Sequence, residues 1–240
     1  MMAKTAKLKK QKVKTATGLS KTHVNTSLEV RFPRNLRVGL NACDYHDQIR
    51  EDFPLVEIPS PVELVPTTFS TTFSHSDKRI QINCSIEHVV YMSRKNESFQ
   101  EICKNAINYM DRFTQLYGIS KINKFGLRCV IDFEVPPETT SANLGDFVRF
   151  GCQHDKFAEN QSLQSVDSTL AYDLPDAMVI LRIAAPNPAT KRSVLLDFDI
   201  MAEGTWEPSQ IRTQFDSLHK IARSIKDNIV ADQAKTEVKI

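Results

Sequence analysis

The stretch Ser193–Ile229, SVLLDFDIMAEGTWEPSQIRTQFDSLHKIARSIKDNI, constrains the fold more than any other part of the chain. Val194, Leu196, Phe198 and Ile200 alternate with Asp197 and Asp199, the period-two signature of a strand with one buried face. The alternation predicts a strand over Ser193–Ala202. Beyond a turn, Ile211, Phe215, Leu218, Ala222, Ile225 and Ile229 recur at four- and three-residue steps, which predicts a helix with one apolar stripe. Pro208 stands near its first turn, where a missing N–H costs little. A strand leading into such a helix requires a sheet for the stripe to lie on.

The rest of the chain supplies that sheet. His23–Pro33 alternates and reads as a first strand, stopped by Pro33. A short helix is expected around His46–Phe53, followed by a connection punctuated by Pro54, Pro59, Pro61 and Pro66. Thr67–Tyr91 reads as a two-stranded hairpin turning at HSDK, with Ile80, Ile82, Cys84 and Ile86 on one face. Ser98 and Glu101 have the spacing of a capping box, and Gly118 fits the position after a helix end. Between them Phe99, Ile102, Ala106, Met110, Phe113 and Tyr117 form a second helical stripe. Phe125–Val135 is a further strand, closed by Pro136 and Pro137. Residues 138–175 carry no clear period; Phe147–Phe150 suits a short strand or helix, and Asp155–Asp167 suits a helix. Ala177–Ile183 and Ser193–Ala202 are expected to pair antiparallel, because PNPATKRS is too short for a crossover helix.

The expected fold class is therefore α+β: an antiparallel sheet covered on one face by two long helices. Its element order suggests two similar strand-strand-helix halves, although no internal sequence repeat accompanies it. The boundaries read as a basic arm over 1–22, a single domain over 23–230 with halves 23–120 and 121–230, and a frayed tail over 231–240.

Composition removes several function classes. The seven glycines form neither GxGxxG nor GxxxxGK(S/T), so the glycine-built phosphate cradles are missing. Cys43, Cys84, Cys103, Cys129 and Cys152 are odd in number and scattered, without zinc-ligand spacing; reduced thiols in a cytoplasmic protein follow. No apolar run approaches the length of about 18 residues that a membrane span needs. The net charge of +2 conceals an asymmetry. Residues 1–27 hold Lys4, Lys7, Lys9, Lys10, Lys12, Lys14 and Lys21 and no acid, which leaves about −5 for the remainder. A lysine arm of this kind can neutralise phosphates or meet an acidic partner, and it has no interleaved aromatics for base stacking. The competing reading is a solubilising arm.

Candidate chemistry is sparse. Asp197 and Asp199 would share one strand face, the spacing of a carboxylate pair that can hold Mg²⁺ or Mn²⁺. The weightier reading is a solvated sheet face or ion pairs to Arg128 or Arg182. Asp132 and Glu134 repeat the spacing on another strand. His219 borders the last helical stripe as a boundary residue, His46 lacks a nucleophile partner, and Trp206 reads as an anchor under the last helix. No catalytic residue and no cofactor is assigned.

Three segments carry a resemblance: LEVRFP (Leu28–Pro33), INKFGLRCVIDFEVP (Ile122–Pro136), and LLDFDIMAEG followed by FDSLHKIARSIKDNI. Their order resembles a sporadically distributed bacterial family of unknown function, with an E-(I/V)-R-F strand, a central G-L-R-Y-I-N strand and a final L-D-(I/F/V)-D strand leading into an L-H helix. The likeness spans most of residues 23–230, and Cys129 and Ile131 depart from it where the family pattern has Tyr and Asn. The resemblance implies mobile-element or phage-defence loci and no catalytic residues. The expected function is a non-catalytic binding or assembly protein with a protein partner or a second copy, its arm on nucleic acid or an acidic partner, and no membrane. The alternatives are a metal-dependent enzyme acting on nucleic acid or nucleotides, centred on Asp197 and Asp199, and a small-ligand sensor with a cavity between sheet and helices.

Overall fold

The computed structural model describes residues 21–58, 70–134, 166–185 and 193–229. Among these residues nine strands form one sheet: β1 (Lys21–Arg31), β2 (Leu55–Glu57), β3 (Ser70–Ser74), β4 (Ile80–Ser85), β5 (His88–Ser93), β6 (Ile122–Glu134), β7 (Val166–Asp173), β8 (Met178–Ala185) and β9 (Ser193–Trp206). Helices α1 (Leu36–Leu40) and α2 (Ala42–Ile49) follow β1, α3 (Phe99–Tyr117) follows β5, and α4 (Ile211–Ile229) follows β9 through a single 3-10 turn at Pro208–Gln210. The fold is mixed α+β with a large antiparallel sheet.

The strand order is β2-β3-β4-β5-β1-β6-β9-β8-β7, with every neighbouring pair antiparallel. The chain runs the same course twice. A central strand (β1, then β6) is laid down, the chain moves to a far edge (β2, then β7), and a meander returns to the strand beside the centre (β5, then β9). A long helix follows each time.

Strand periodicity sorts the side chains onto two faces. Phe73, Ile82, Tyr91, Leu28, Leu127, Ile200 and Val179 stand opposite one another in a row across seven strands. None is more than 1% exposed. Val89, Val30, Phe125 and Ala202 make a second buried row on the same side. Helix α3 meets the sheet through Tyr109 on Tyr91, and α4 meets it through Phe215 on Phe125. Helix α2 joins them, with Tyr45 edge-on to both Phe73 and Phe113 and its hydroxyl donating to the Tyr109 carbonyl at 3.0 Å. The described helices thus place these aromatic side chains on the apolar side.

Helix α3 forms where local chemistry dictates. The Ser98 hydroxyl accepts from the Glu101 N–H, and the Glu101 carboxylate accepts from the Ser98 N–H at 3.0 Å, so two first-turn donors are satisfied. Gly118 ends the helix at φ +64°, a conformation that penalises any Cβ, and the Ile119 N–H closes back on the Thr114 carbonyl.

Four expectations need correction. The segment 67–91 is not one hairpin: Ile80–Ser85 and His88–Ser93 are separate antiparallel strands. Ser85 turns the chain between them, its hydroxyl accepting from the Glu87 and His88 N–H groups, a side-chain turn that extended periodicity hides. The last strand does not stop at Ala202 but continues to Trp206, because β6 begins at Ile122 and offers it a partner there. Val166 and Asp167, expected at the end of a helix, instead begin an edge strand that runs to Asp173. Leu55–Glu57 forms a short strand inside the expected proline-rich connection. Strands β8 and β9 pair antiparallel as expected. The lysines of residues 1–20, the segments Phe147–Phe150 and 155–165, and residues 231–240 lie outside the described residues.

Candidate functional site

The second sheet face carries the charges. Along β9, Leu195, Asp197, Asp199 and Met201 point away from the buried Val194, Leu196, Phe198 and Ile200. Opposite them on β6 stand Asp132, Val130, Arg128 and Gly126, with Lys124 opposite Glu203, and beyond Gly126 and Lys124 stand Glu29 and Arg31 on β1. On the other flank, β8 contributes Met178, Ile180 and Arg182.

The structure brings Asp197 to Arg128. The guanidinium donates to both carboxylate oxygens, from Nε at 2.9 Å and from the terminal nitrogen at 2.8 Å. This fork geometry uses both Asp197 oxygens and raises the guanidinium pKa, chiefly through that hydrogen bond. The partner is diagonal: Arg128 lies directly across from Asp199, and Asp197 lies across from Val130. Arg182 faces Asp197 across the β8–β9 ladder but turns instead to Asp167 on β7, at 3.1 and 2.8 Å. Asp167 is held below the ordinary carboxylate range by that pairing. Arg31 donates to Glu29 at 2.7 Å, and Lys124 approaches Glu203 at 3.4 Å.

Asp199 is different. Among the described residues no hydrogen bond or ion pair to its carboxylate is formed within the face, and the carboxyl is half-buried. Burial, which penalises the charged form, raises its pKa; Arg128 opposes this, and the Asp197 and Glu29 carboxylates add to it. Gly126 makes room for one of those neighbours. A Cβ at that position would stand 3.2 Å from a Glu29 carboxylate oxygen and 3.3 Å from its Cβ.

The remaining sequence candidates take structural places. Asp132 sits on the charged face opposite Leu195. His219 is buried and stacks on Phe99, with ring centroids 3.8 Å apart, so it ties α4 to α3. His46 shares a hydrogen bond with the Phe53 carbonyl and stacks on Phe73. Trp206 packs on Phe125 at the end of β9, a centroid distance of 5.1 Å. Cys84, Cys103 and Cys129 are buried, and burial pushes the Cys103 thiol up to about 11, which makes it a poor nucleophile at neutral pH. No group of three or more metal-ligating side chains is assembled among the described residues. None of their helices is long and apolar enough to cross a membrane.

Sequence reasoning passed over Glu29, Arg31 and Lys124, which share the face with the aspartates. Their period-two spacing within β1 and β6 was the available signal. It also passed over three of the methionines. Met92, Met178 and Met201 all lie on this face, level with the charged residues, while Met110 is in the core. At one end of the strands a surface pocket of about 600 Å³ is lined by Asp173, Asp176, Met178, Met201, Glu203 and Trp206. No protein-family model matches the chain, and no curated protein is significantly similar to it.

Proposed function

We propose that the chain is a non-catalytic binding or assembly protein that meets a protein partner through the charged face of its sheet. One observation carries the reading: on that face, ion pairs such as Arg128–Asp197 alternate with part-exposed Met92, Val90, Val130, Ile180 and Met201. Interface surfaces mix apolar and paired polar groups in this way, and methionine adapts its shape to a partner. The two long helices are read as the cover of the opposite face, which leaves this one for docking. The family likeness suggests a mobile-element or phage-defence setting. Lys4, Lys7, Lys9, Lys10, Lys12 and Lys14 form the arm proposed to contact nucleic acid or an acidic partner.

Co-expression with the products of adjacent genes tests the docking face. Co-purification that Met201→Asp or Ile180→Asp abolishes, with the melting temperature kept, is the expected result; co-purification indifferent to both sinks it. A gel shift at rising salt, comparing the full chain with one lacking residues 1–20, tests the arm. Equal behaviour of the two forms removes the nucleic-acid part.

The metal-enzyme reading is the weaker one, because Arg128 engages both Asp197 oxygens and the environment of Asp199 disfavours its charged form. The sensor reading needs an enclosed space between sheet and helices, where Phe32, Phe73, Phe113, Phe125 and Phe215 now stand fully buried.

A further inference from the structure

The two edges of the sheet differ in how they are protected. Strand β2 is three residues long, with Pro54 before it and Pro59 soon after, and short proline-flanked edges resist pairing with another chain. Strand β7 is eight residues long, VDSTLAYD, and holds neither proline nor lysine. Among the described residues only β8 pairs with it, so the hydrogen-bonding groups along its outer side have no strand partner there.

Its side chains are also those of an unfinished sheet. Leu170 stands in the row of Leu181 and Phe198, and Tyr172 in the row of Val179 and Ile200. These are core rows, yet Leu170 is 37% exposed and Tyr172 is 43% exposed. The apolar face continues onto the edge strand beyond the reach of its described cover.

We propose that β7 is a homodimer edge: two copies pair β7 to β7 antiparallel about a twofold axis at Ala171, joining two sheets into one. The choice of a second copy rests on self-complementarity. With Ala171 opposite itself, Leu170 of each copy faces Tyr172 of the other, so both exposed apolar side chains gain an apolar partner twice over. Thr169 then faces Asp173, a hydroxyl against a carboxylate. Shifting the register by one pair, to place Leu170 opposite itself, sets Asp167 against Asp173 at both ends, and like charges directly opposite are destabilising. A twofold interface closes after one pairing, so the free edges are used up without growth into a fibre.

This inference extends the assembly reading to a named partner, and the two fail separately. The full chain is prepared with Cys43→Ser and Cys152→Ser, and single cysteines are placed at Thr169, Leu170 and Ala171. Residues opposite each other across an antiparallel ladder have Cα atoms about 4.5–5.5 Å apart, within disulfide range. The expected result is oxidative crosslinking at 171 well above that at 169 or 170. Sedimentation is expected to show a dimer that Ala171→Lys converts to monomer, two lysines now facing each other, with an unchanged circular dichroism spectrum. A wild-type chain that stays monomeric at about 100 μM, on the order of a hundred times a micromolar dissociation constant, overturns the proposal. So does a dimer unaffected by Ala171→Lys, or crosslinking that prefers 169 or 170. A monomer that still co-purifies with an adjacent gene's product would sink the dimer and leave the assembly reading standing.

Discussion

The two faces of this sheet share the same strands and obey different physics. On one, Phe198 is fully buried in the hydrophobic core, opposite Cys129 on β6 and Leu181 on β8. On the other, its immediate neighbours Asp197 and Asp199 stand among charges that mostly satisfy one another. A single residue step along β9 therefore moves from a position where volume decides stability to one where charge and hydration do. The first face holds the fold; the second is where sequence can change at small energetic cost, and so where recognition is affordable.

The sharpest way to break the contrast is truncation on each side. Phe198→Ala is expected to cost about 3–5 kcal/mol, through lost burial and the cavity left behind. Met201→Ala, three residues on and on the charged face, should cost about 1 kcal/mol or less. Urea unfolding of the two variants checks this, and equal losses would mean that the charged face is as tightly packed as the core. The next effect is smaller. Asp197→Asn removes the charge that Arg128 grips, on a pair whose guanidinium is about half exposed. A double-mutant cycle with Arg128→Gln should give a coupling of about 0.5–1 kcal/mol that shrinks as salt rises. A coupling of several kcal/mol would mark the pair as a desolvated structural element and remove the face from consideration as a docking surface.

How much of this was legible in the sequence depended on how local the cause was. The α3 boundaries could be read because Ser98, Glu101 and Gly118 act on backbone groups within a few residues. The sharing of a face by Asp197 and Asp199 followed from strand period alone. The break between β4 and β5 is written in the chain: the buried apolar positions switch from even (Ile80, Ile82, Cys84, Ile86) to odd (Val89, Tyr91), a change of parity that calls for a turn or a bulge. Strand β7 was hidden for another reason. Its positions from Asp167 to Asp173 are nearly all exposed, so an edge strand without a buried face leaves no alternation to detect. The Arg128–Asp197 pair was readable only as an option, because which arginine meets which aspartate is set by register between strands 69 residues apart.

The last prediction concerns Asp199 and reads the charged face by pH. Burial raises its folded-state pKa above the ordinary aspartate value of 3.8. Between those two values the folded chain holds a proton that the unfolded chain has lost, so this group's contribution to stability falls as pH rises through the window. Above the window the folded state carries an ionised carboxylate in a place that disfavours it. Asp199→Asn removes that burden, and the variant should be slightly more stable than wild type at neutral pH, by about 0.5 kcal/mol or less. Below pH 3.8 the wild-type carboxyl is neutral in both states and the advantage should vanish. Asp167 moves the opposite way: Arg182 lowers its pKa, so Asp167→Asn should lose stability at neutral pH and lose little in acid. Chemical unfolding of the three proteins from about pH 3 to about pH 8 measures both slopes. Slopes of the same sign would mean that burial does not govern Asp199, and that the charged face is wetter around this carboxylate than its geometry implies.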